Sequence, residues 1–329
     1  TFNCFVYIFC KEVLKIHIRR LVKSGEASHT VSLPKNWIDD NKLKRGDLIY
    51  IDETQNNELV LNSKPNERKR EIKEISITVD NKSIDAIQRE ITSAYINNFN
   101  VISIMGKDLG KHIKEIRQIL HDFVALEISE QTATKIVAND LLNIDEFSVE
   151  KTIRRMDMLV RSILQDSIVA LDGEDLHESI VYRDLDVNRQ YFLVYRILKS
   201  AMKDKNVSRI FNIDGVAAHY YWYLSVNLEN LADHAKNISQ ILKSTKIKKD
   251  AEIKELYSKM EQAYLDVMKA FFNKNMALAE SINTFRRDYS IELENFYKEN
   301  NKPEIVQIIG NLREMSTLIS NISRIVMDY

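Results

Sequence analysis

The chain has 329 residues, of which 44% are hydrophobic and 29% are charged, and its formal net charge is −1 at pH 7. This size and balance predict a globular protein of two or three domains and exclude an intrinsically disordered chain, while the near-zero charge excludes a protein that is basic throughout. The seven glycines and three prolines are few for this length, so long helices are favoured over a β protein with many turns.

The first segment, residues 1–12, contains both cysteines, Cys4 and Cys10, in an apolar run that ends before Lys11. The run is too short to span a bilayer, and it lacks a basic leader and a small-residue cleavage site. Two cysteines without a metal-ligand pattern around them make no disulfide framework and indicate a reducing compartment. We therefore expect an N-terminal extension on a cytoplasmic protein that is not an integral membrane protein.

Residues 13–62 are predicted to form a small β module. Apolar and charged residues alternate over Val13–Val22, which is the period of a strand. After Gly25 the pattern predicts a second strand, a short helix opened by Pro34, and two further strands. The corresponding ranges are Ser28–Leu33 for the second strand, Lys35–Asn41 for the helix, and Leu48–Asp52 and Glu58–Asn62 for the last two strands.

The run LVKSGEASHTVSLPKNWIDDNKLKRGDLIYI, which starts at Leu21, resembles the AbrB/SpoVT/MazE-like swapped-hairpin family in its Pro34 and Gly46-Asp47. The resemblance implies that the hairpins of two chains interlock in a homodimer and that their basic strands meet DNA, mostly at phosphates. Residues 11–35 carry six Lys/Arg and two acidic residues, one of which, Glu26, follows the turn glycine where family members often have a basic residue. The predicted DNA-binding residues are Lys15, Arg19, Arg20, Lys23, His29 and Lys35. The alternative is a solvated basic edge on a module that only dimerises the chain.

Residues 63–72 form a polar, charged segment without periodicity, which is typical of a linker. Residues 73–145 then show the order β-α-β-α-β-β. This order predicts a compact α+β sandwich of the ferredoxin-like or regulatory ligand-binding kind. A fold of this class assigns no activity by itself.

The second half of the chain, from Glu150 onward, reads as six long amphipathic helices in two copies. The run NLENLADHAKNISQIL from Asn227 returns as NLREMSTLISNISRIV from Asn311, with an offset of 311 − 227 = 84 and six of sixteen positions identical. Arg183-Asp184 likewise returns as Arg287-Asp288, at an offset of 104. Such self-similarity indicates a duplication. We predict two tandem three-helix bundles, residues 146–246 and 247–329, so the whole chain is classed as multi-domain α+β with an all-α C-terminal half.

Two carboxylates, Glu229 and Asp233, lie one helical turn apart in the first copy of the repeated helix. At about 100° per residue they fall roughly opposite the apolar stripe, which predicts an acidic pair on the outward face of the helix.

The helical half resembles the PhoU phosphate-uptake regulators, which are built from two three-helix repeats, in NLENLADHAKNISQ and YRDLDVNRQYFLVYRIL. Together with the N-terminal hairpins it is similar to archaeal proteins that join an AbrB-like module to PhoU. The resemblance implies a divalent or trivalent metal ion, such as Fe, Zn, Mn or Mg, on acidic motifs of the bundle surface. The predicted metal-site residues are Asp184, Asn188, Glu229, Asp233, Asp288 and Glu292.

His234 is a further candidate ligand, and Arg313 is a candidate to neutralise Asp288 or Glu292 without metal. The alternative is that these carboxylates are only solvated, since acidic pairs one turn apart on an exposed face are common and slightly destabilise a helix.

No catalytic motif is found in the sequence, so we expect no enzyme. Two functions remain. The first is a DNA-binding regulator of phosphate uptake with a PhoU-type, metal-binding sensing or adaptor bundle that controls transcription, a phosphate ABC transporter or both. The second is an adaptor or metal-binding scaffold that does not bind DNA, contacts a transporter or a signalling protein, and uses the hairpins only to dimerise.

Overall fold

The computed structural model of the chain describes residues 17–26, 28–53, 59–64, 72–143, 147–245, 250–300 and 302–328. The chain divides into two compact units, residues 1–71 and residues 72–329.

The N-terminal unit contains two antiparallel hairpins and one short helix. Strand β1 (Val22–Lys23) pairs with β2 (His29–Thr30), helix α1 spans Lys35–Asp40, and β3 (Tyr50–Glu53) pairs with β4 (Leu59–Asn62). The predicted second strand, the short helix and the last two strands are present with shifted or shorter bounds.

The strand predicted over Val13–Val22 is the largest difference in this unit. Residues 13–16 lie outside the described residues, and residues 17–21 have no strand structure, so β1 begins only at Val22. Sequence alternation sets which face a side chain takes, whereas a strand also needs a paired neighbour. Strand β2 supplies only two partners, Thr30 and His29.

None of the described residues of this unit whose exposure is known is buried. Large hydrophobic side chains are instead open to solvent, including Ile18 at 86% and Leu48 at 72% of full exposure. Within its described residues, a single copy of the unit therefore lacks the packed interior that stabilises a small domain.

The second unit begins with an α+β module that has a four-stranded mixed sheet in the order β5-β6-β8-β7. Strands β5 and β6 are parallel, and the other two pairs are antiparallel. The bounds are β5 (Glu74–Thr78), α2 (Ile84–Ile96), β6 (Val101–Met105), α3 (Ile113–His121), β7 (Leu126–Gln131) and β8 (Lys135–Asp140).

The prediction of a ferredoxin-like fold for this module is wrong, although the predicted order of helices and strands is observed. A ferredoxin-like fold has the order β-α-β-β-α-β. Here α2 returns the chain so that β6 runs parallel to β5, while β7 and β8 form an antiparallel hairpin that joins the sheet through β8.

The six predicted long helices are present in the C-terminal half, with a short additional helix in the insertion of the first copy. Their core is continuous, because α7 packs on α4 and α5 of its own copy and also on α10 of the other copy. The bounds are α4 (Val149–Leu171), α5 (His177–Lys203), the short α6 (Lys205–Phe211), α7 (Gly215–Ser244), α8 (Ala251–Asn273), α9 (Met276–Glu299) and α10 (Pro303–Asp328).

Several of these helices begin where a side chain satisfies the free backbone amides of the first turn. Ser148 accepts from the Lys151 amide at the start of α4, and Asp214 accepts from the Ala217 amide at 2.7 Å at the start of α7. Such N-caps each contribute about 1 kcal/mol to helix stability.

Helix α5 joins the helical bundle to the α+β module through the buried side chain of Arg196, which is 2% exposed. Its Nη1 donates to Asp140 Oδ1 at 3.0 Å, its Nη2 donates to Asp140 Oδ2, and its Nε donates to Asn98 Oδ1 at 2.7 Å. The guanidinium carbon lies 4.6 Å from the centre of the Tyr95 ring. We name these four residues the Arg196 contact.

Candidate functional site

The candidate site lies where α5 crosses α7 in the first copy of the repeat. Helix α5 contributes Asp184, and α7 contributes Glu229, Asp233 and Lys236, three of them spaced so that they share one helical face. We name these four residues the acidic cluster. Asp184 is 2% exposed, while the three α7 side chains are half-buried. The acidic pair on α7 therefore faces α5 and is not on an outward face as the sequence predicted.

Lys236 occupies the centre of the acidic cluster. Its Nζ donates to Asp184 Oδ2 at 2.6 Å and also to Asp233 Oδ1. Burial by itself lowers the pKa of Lys236, but the hydrogen bonds to Asp184 and Asp233 and the charges of the two carboxylates together have the larger effect, so the pKa is raised. One ammonium thus neutralises carboxylates from two helices.

Asp184 is only partly satisfied by this arrangement. Its Oδ1 is buried and, within the described residues, has no hydrogen-bond partner. Burial raises the pKa of Asp184, and the hydrogen bond from Lys236 opposes that rise. A buried carboxylate oxygen without a donor is costly, so this atom is a point at which the cluster can accept a further donor.

Glu229 remains outside the lysine bridge. Burial, followed by the charges of Asp233 and Asp184, raises the pKa of Glu229 to about 7. Its charge also raises the pKa of Tyr191 on α5, after the larger effect of burial on that tyrosine. Near neutral pH, Glu229 is therefore divided between its protonated and ionised forms.

The residues present do not form a metal site in this arrangement. A cation at the centre of the acidic cluster would meet the Lys236 ammonium, and no group of three or more His, Cys, Asp or Glu side chains in the described parts of the chain is arranged to hold a metal ion. Asn188, the other predicted ligand on α5, is half-buried and lies four residues after Asp184. Metal binding stays a prediction, and it requires Lys236 to move away.

His234, the further candidate ligand, contacts the second copy of the repeat instead. Its Nδ1 lies 2.8 Å from Asn311 Oδ1 on α10, and Asn321 Nδ2 donates to Asn227 Oδ1 at 3.2 Å. In these two contacts the residue with the higher number on α7 meets the residue with the lower number on α10, so the two repeated helices pack antiparallel.

In the second copy, each of the two predicted acids forms an ion pair with a different cation. Asp288 accepts from its neighbour Arg287, and Glu292 forms an ion pair with Lys259 of α8. The expectation that Arg313 neutralises Asp288 or Glu292 is wrong, because its Nη2 lies 3.3 Å from Glu294. Spacing along one helix could not show this, since the partners depend on how neighbouring helices cross.

Most of the predicted DNA-binding residues are exposed in the N-terminal unit. These are Arg19, Arg20, Lys23, His29 and Lys35, whereas Lys15 lies outside the described residues. None of the five forms an ion pair with a carboxylate among the residues that the structure describes. The positive charge of this unit is therefore available to solvent.

Two contributors to the sites were missed by the sequence analysis. Lys236 stands within the repeated motif, three residues after Asp233, and that spacing was a signal for an ion pair along the helix. Its bond to Asp184 on another helix had no such signal, and neither did the Arg196 contact.

No helix within the described ranges has both the length and the hydropathy needed to cross a membrane.

Comparison with known proteins gives one family match. The model of the PhoU domain matches residues 153–242, whereas no curated protein matches the chain. The chain is similar to the crystal structure of the phosphate transport system regulatory protein PhoU from Streptococcus pneumoniae, with 18% identity, a TM-score of 0.44, and coverage of 54% of this chain and 91% of that one. It is also similar to PhoU from Pseudomonas aeruginosa, with 14% identity, a TM-score of 0.38, and coverage of 54% and 93%. The match to the PhoU domain model thus covers the helices α5 and α7 that carry the acidic cluster.

Proposed function

We propose that the protein regulates phosphate uptake, with its N-terminal hairpins binding DNA and its PhoU-type helices acting as a sensing or adaptor bundle. The observation that carries the proposal is the PhoU domain over residues 153–242. Regulation of this kind needs binding and conformational coupling and no bond chemistry, so we propose no enzymatic activity.

The exposed cations of the N-terminal unit support DNA binding. Arg19, Arg20 and Lys23 follow one another along the edge that leads into β1, and His29 lies opposite Lys23 in the first hairpin. Cations without carboxylate partners attract phosphates and release counterions on binding. Contacts of this type position a protein on DNA and make its affinity sensitive to salt.

The exposed apolar side chains of the same unit support a homodimer. Ile51 and Leu59 are 59% and 65% exposed, although they lie in paired strands β3 and β4. A hairpin that buries no residue is marginal by itself. A second copy of this unit, which offers the same apolar surface, is the partner that we propose.

A titration of DNA with the full chain tests the proposal that the protein is a DNA-binding regulator. Fluorescence anisotropy with the DNA upstream of the protein's own gene is expected to show binding that weakens as salt rises. A variant with Arg19→Gln, Arg20→Gln and Lys23→Gln removes three cations and is expected to bind about tenfold more weakly or worse.

The matched control changes Arg155, Lys269 and Arg324 to Gln, which removes the same types of charge from exposed positions on the helices. It is expected to bind DNA like the wild type. Equal binding by the two triple variants, or no salt-sensitive binding by a well-folded dimer, would favour the second candidate function, an adaptor that contacts a phosphate ABC transporter or a signalling protein.

We retain metal binding by the first copy as part of the proposal, with Asp184, Asn188, Glu229 and Asp233 as the ligands after Lys236 has moved. Elemental analysis of the purified protein beside a Glu229→Gln/Asp233→Asn variant tests it. Metal that is present in the wild type and absent from the variant supports the site, and equal contents in both remove it.

A further inference from the structure

A basic groove runs between α9 and α10 in the second copy of the repeat. It has a volume of about 870 Å³, and four cations line it: Arg286, Arg287, Lys298 and Arg313. The carboxylates among its lining residues are Glu294 and Glu314. The lining therefore carries a net positive charge of 4 − 2 = 2. We name it the basic groove.

The ion pairs of the basic groove compensate part of this positive charge. Glu294 is shared, with Arg313 Nη2 at 3.3 Å and Lys298 Nζ at 3.8 Å. Arg287 pairs with Asp288, which is not part of the lining. Arg286 has no ion-pair partner among the residues that the structure describes. Arg313 also keeps guanidinium donors beyond the one that faces Glu294.

The duplication shows that most of this charge is particular to the second copy. At an offset of 84, Arg313 stands where the first copy has Glu229, and Thr317 stands where it has Asp233. At an offset of 104, Arg286 replaces Tyr182 and Lys298 replaces Val194. Of the four groove cations, only Arg287 has a basic counterpart in the first copy, Arg183, so most of the positive charge is particular to the second copy.

We propose that the basic groove binds an extended anion that carries several linked phosphate groups. Guanidinium groups bind phosphate oxygens through paired, charge-assisted hydrogen bonds, and Arg286 and Arg313 are placed to do so from two helices. Arg286 and Lys298 are twelve residues apart on α9, which is about 18 Å along the axis. One phosphate group cannot contact cations along the whole of that span, whereas several linked phosphate groups, in a polyphosphate or a nucleoside triphosphate, can contact more than one of them.

This proposal goes beyond the regulatory function and does not depend on it, because the residues concerned all belong to the helical half. Binding of the anion can succeed when DNA binding fails, and the reverse also holds, so the two proposals are tested separately.

Calorimetric titration of the full chain at low salt tests the basic groove. Sodium tripolyphosphate is the probe, and ATP, orthophosphate and polyglutamate are comparison ligands. We expect binding of tripolyphosphate that weakens as salt rises. ATP binding as tight as tripolyphosphate assigns the site to nucleotides, and weaker ATP binding assigns it to inorganic polyphosphate. Orthophosphate is expected to bind more weakly than either.

The decisive variant is Arg286→Gln/Arg313→Gln, with Arg155→Gln/Arg324→Gln as a control of equal charge on exposed helix positions. The groove variant is expected to lose about tenfold or more in affinity, because two charge-assisted contacts are removed, while the control binds like the wild type. The single change Arg313→Glu, which restores the residue type of the first copy, is expected to weaken binding further.

Both positions are solvent-accessible, so circular dichroism is expected to show unchanged folding in each variant. The proposal is overturned if the wild type does not bind tripolyphosphate, if groove and control variants lose affinity equally, or if orthophosphate or polyglutamate binds as tightly as tripolyphosphate.

Discussion

Lys236 is the residue on which the acidic cluster depends. It is the cation that faces Asp184, whose carboxylate is almost fully buried and has one oxygen without a partner in the described residues. Removing one member of a buried ion pair leaves a charge without compensation, which is more costly than the pair itself is stabilising. The lysine thus holds α5 and α7 together.

Replacing Lys236 with Met keeps much of the side-chain volume and removes the charge. We expect the free energy of unfolding to fall by roughly 2–4 kcal/mol, because Asp184 is then buried without its partner. Urea denaturation beside Lys269→Met, an exposed lysine on α8, measures the difference. Equal stability of the two variants would show that the lysine bridge does not hold the helices.

Glu229 makes the stability of the bundle depend on pH. Its pKa in the folded chain is about 7, above its usual value of 4.5, so folding favours the protonated form. The stability that this group contributes is complete below pH 4.5 and is lost as the pH rises through 7. In Glu229→Gln this loss is absent, since an amide does not ionise.

We therefore expect Glu229→Gln to gain stability relative to the wild type between pH 5 and pH 8, by roughly 1–2 kcal/mol because the side chain is partly solvated. Denaturation at both pH values, with the exposed Glu299→Gln as a control, measures the gain. An unchanged difference between variant and wild type at the two pH values would contradict the raised pKa.

Helix α5 is the element that connects the two modules of the second unit. Asp184, in the first half of α5, belongs to the acidic cluster. Arg196, twelve residues later on the same helix, forms the Arg196 contact with the α+β module. Both partners of the Arg196–Asp140 pair are nearly inaccessible, at 2% and 7% exposure. The position of the α+β module on the bundle therefore depends on this pair.

Changing Arg196 to Leu is expected to lower the free energy of unfolding by about 3–5 kcal/mol, since Asp140 and Asn98 lose their donor. Hydrogen exchange is expected to rise first in β8, which ends at Asp140. Adding Asp140→Leu to the variant is expected to recover part of the loss, because no buried charge then remains. Strictly additive effects of the two substitutions would show that they do not act as a pair.

The elements that the sequence predicts well are those whose signal is local. The long helices follow from apolar residues at helical spacing, and each of the six predicted helices is found. The parallel pairing of β5 with β6 and the short strand at Val22 depend on which strands meet in space, which periodicity does not encode. The bond from Lys236 to Asp184 spans 52 residues of sequence, so it too depends on how the helices cross.

At the scale of the whole molecule, the N-terminal unit determines the assembly that we propose. Its hydrophobic side chains are exposed in a single copy, while the helical half has a continuous core of its own. Sedimentation equilibrium is expected to give a dimer for the wild type. Ile51→Lys/Leu59→Lys is expected to give a folded monomer, because charges are then placed on the proposed contact surface.

A control with lysine at two exposed apolar positions of the helices, Tyr182 and Met276, is expected to remain dimeric. A monomeric wild type, or dissociation of the control alone, would contradict dimerisation through the N-terminal unit.

Phosphate uptake by living cells tests the central claim most directly. Uptake of radiolabelled phosphate is measured in cells that lack the gene and in the same cells complemented with the wild type or with the Arg19→Gln/Arg20→Gln/Lys23→Gln variant. We predict that deletion alters the uptake rate, that the wild type restores it, and that the variant does not. Uptake that is unchanged by deletion, in both phosphate-rich and phosphate-starved cells, would contradict the account.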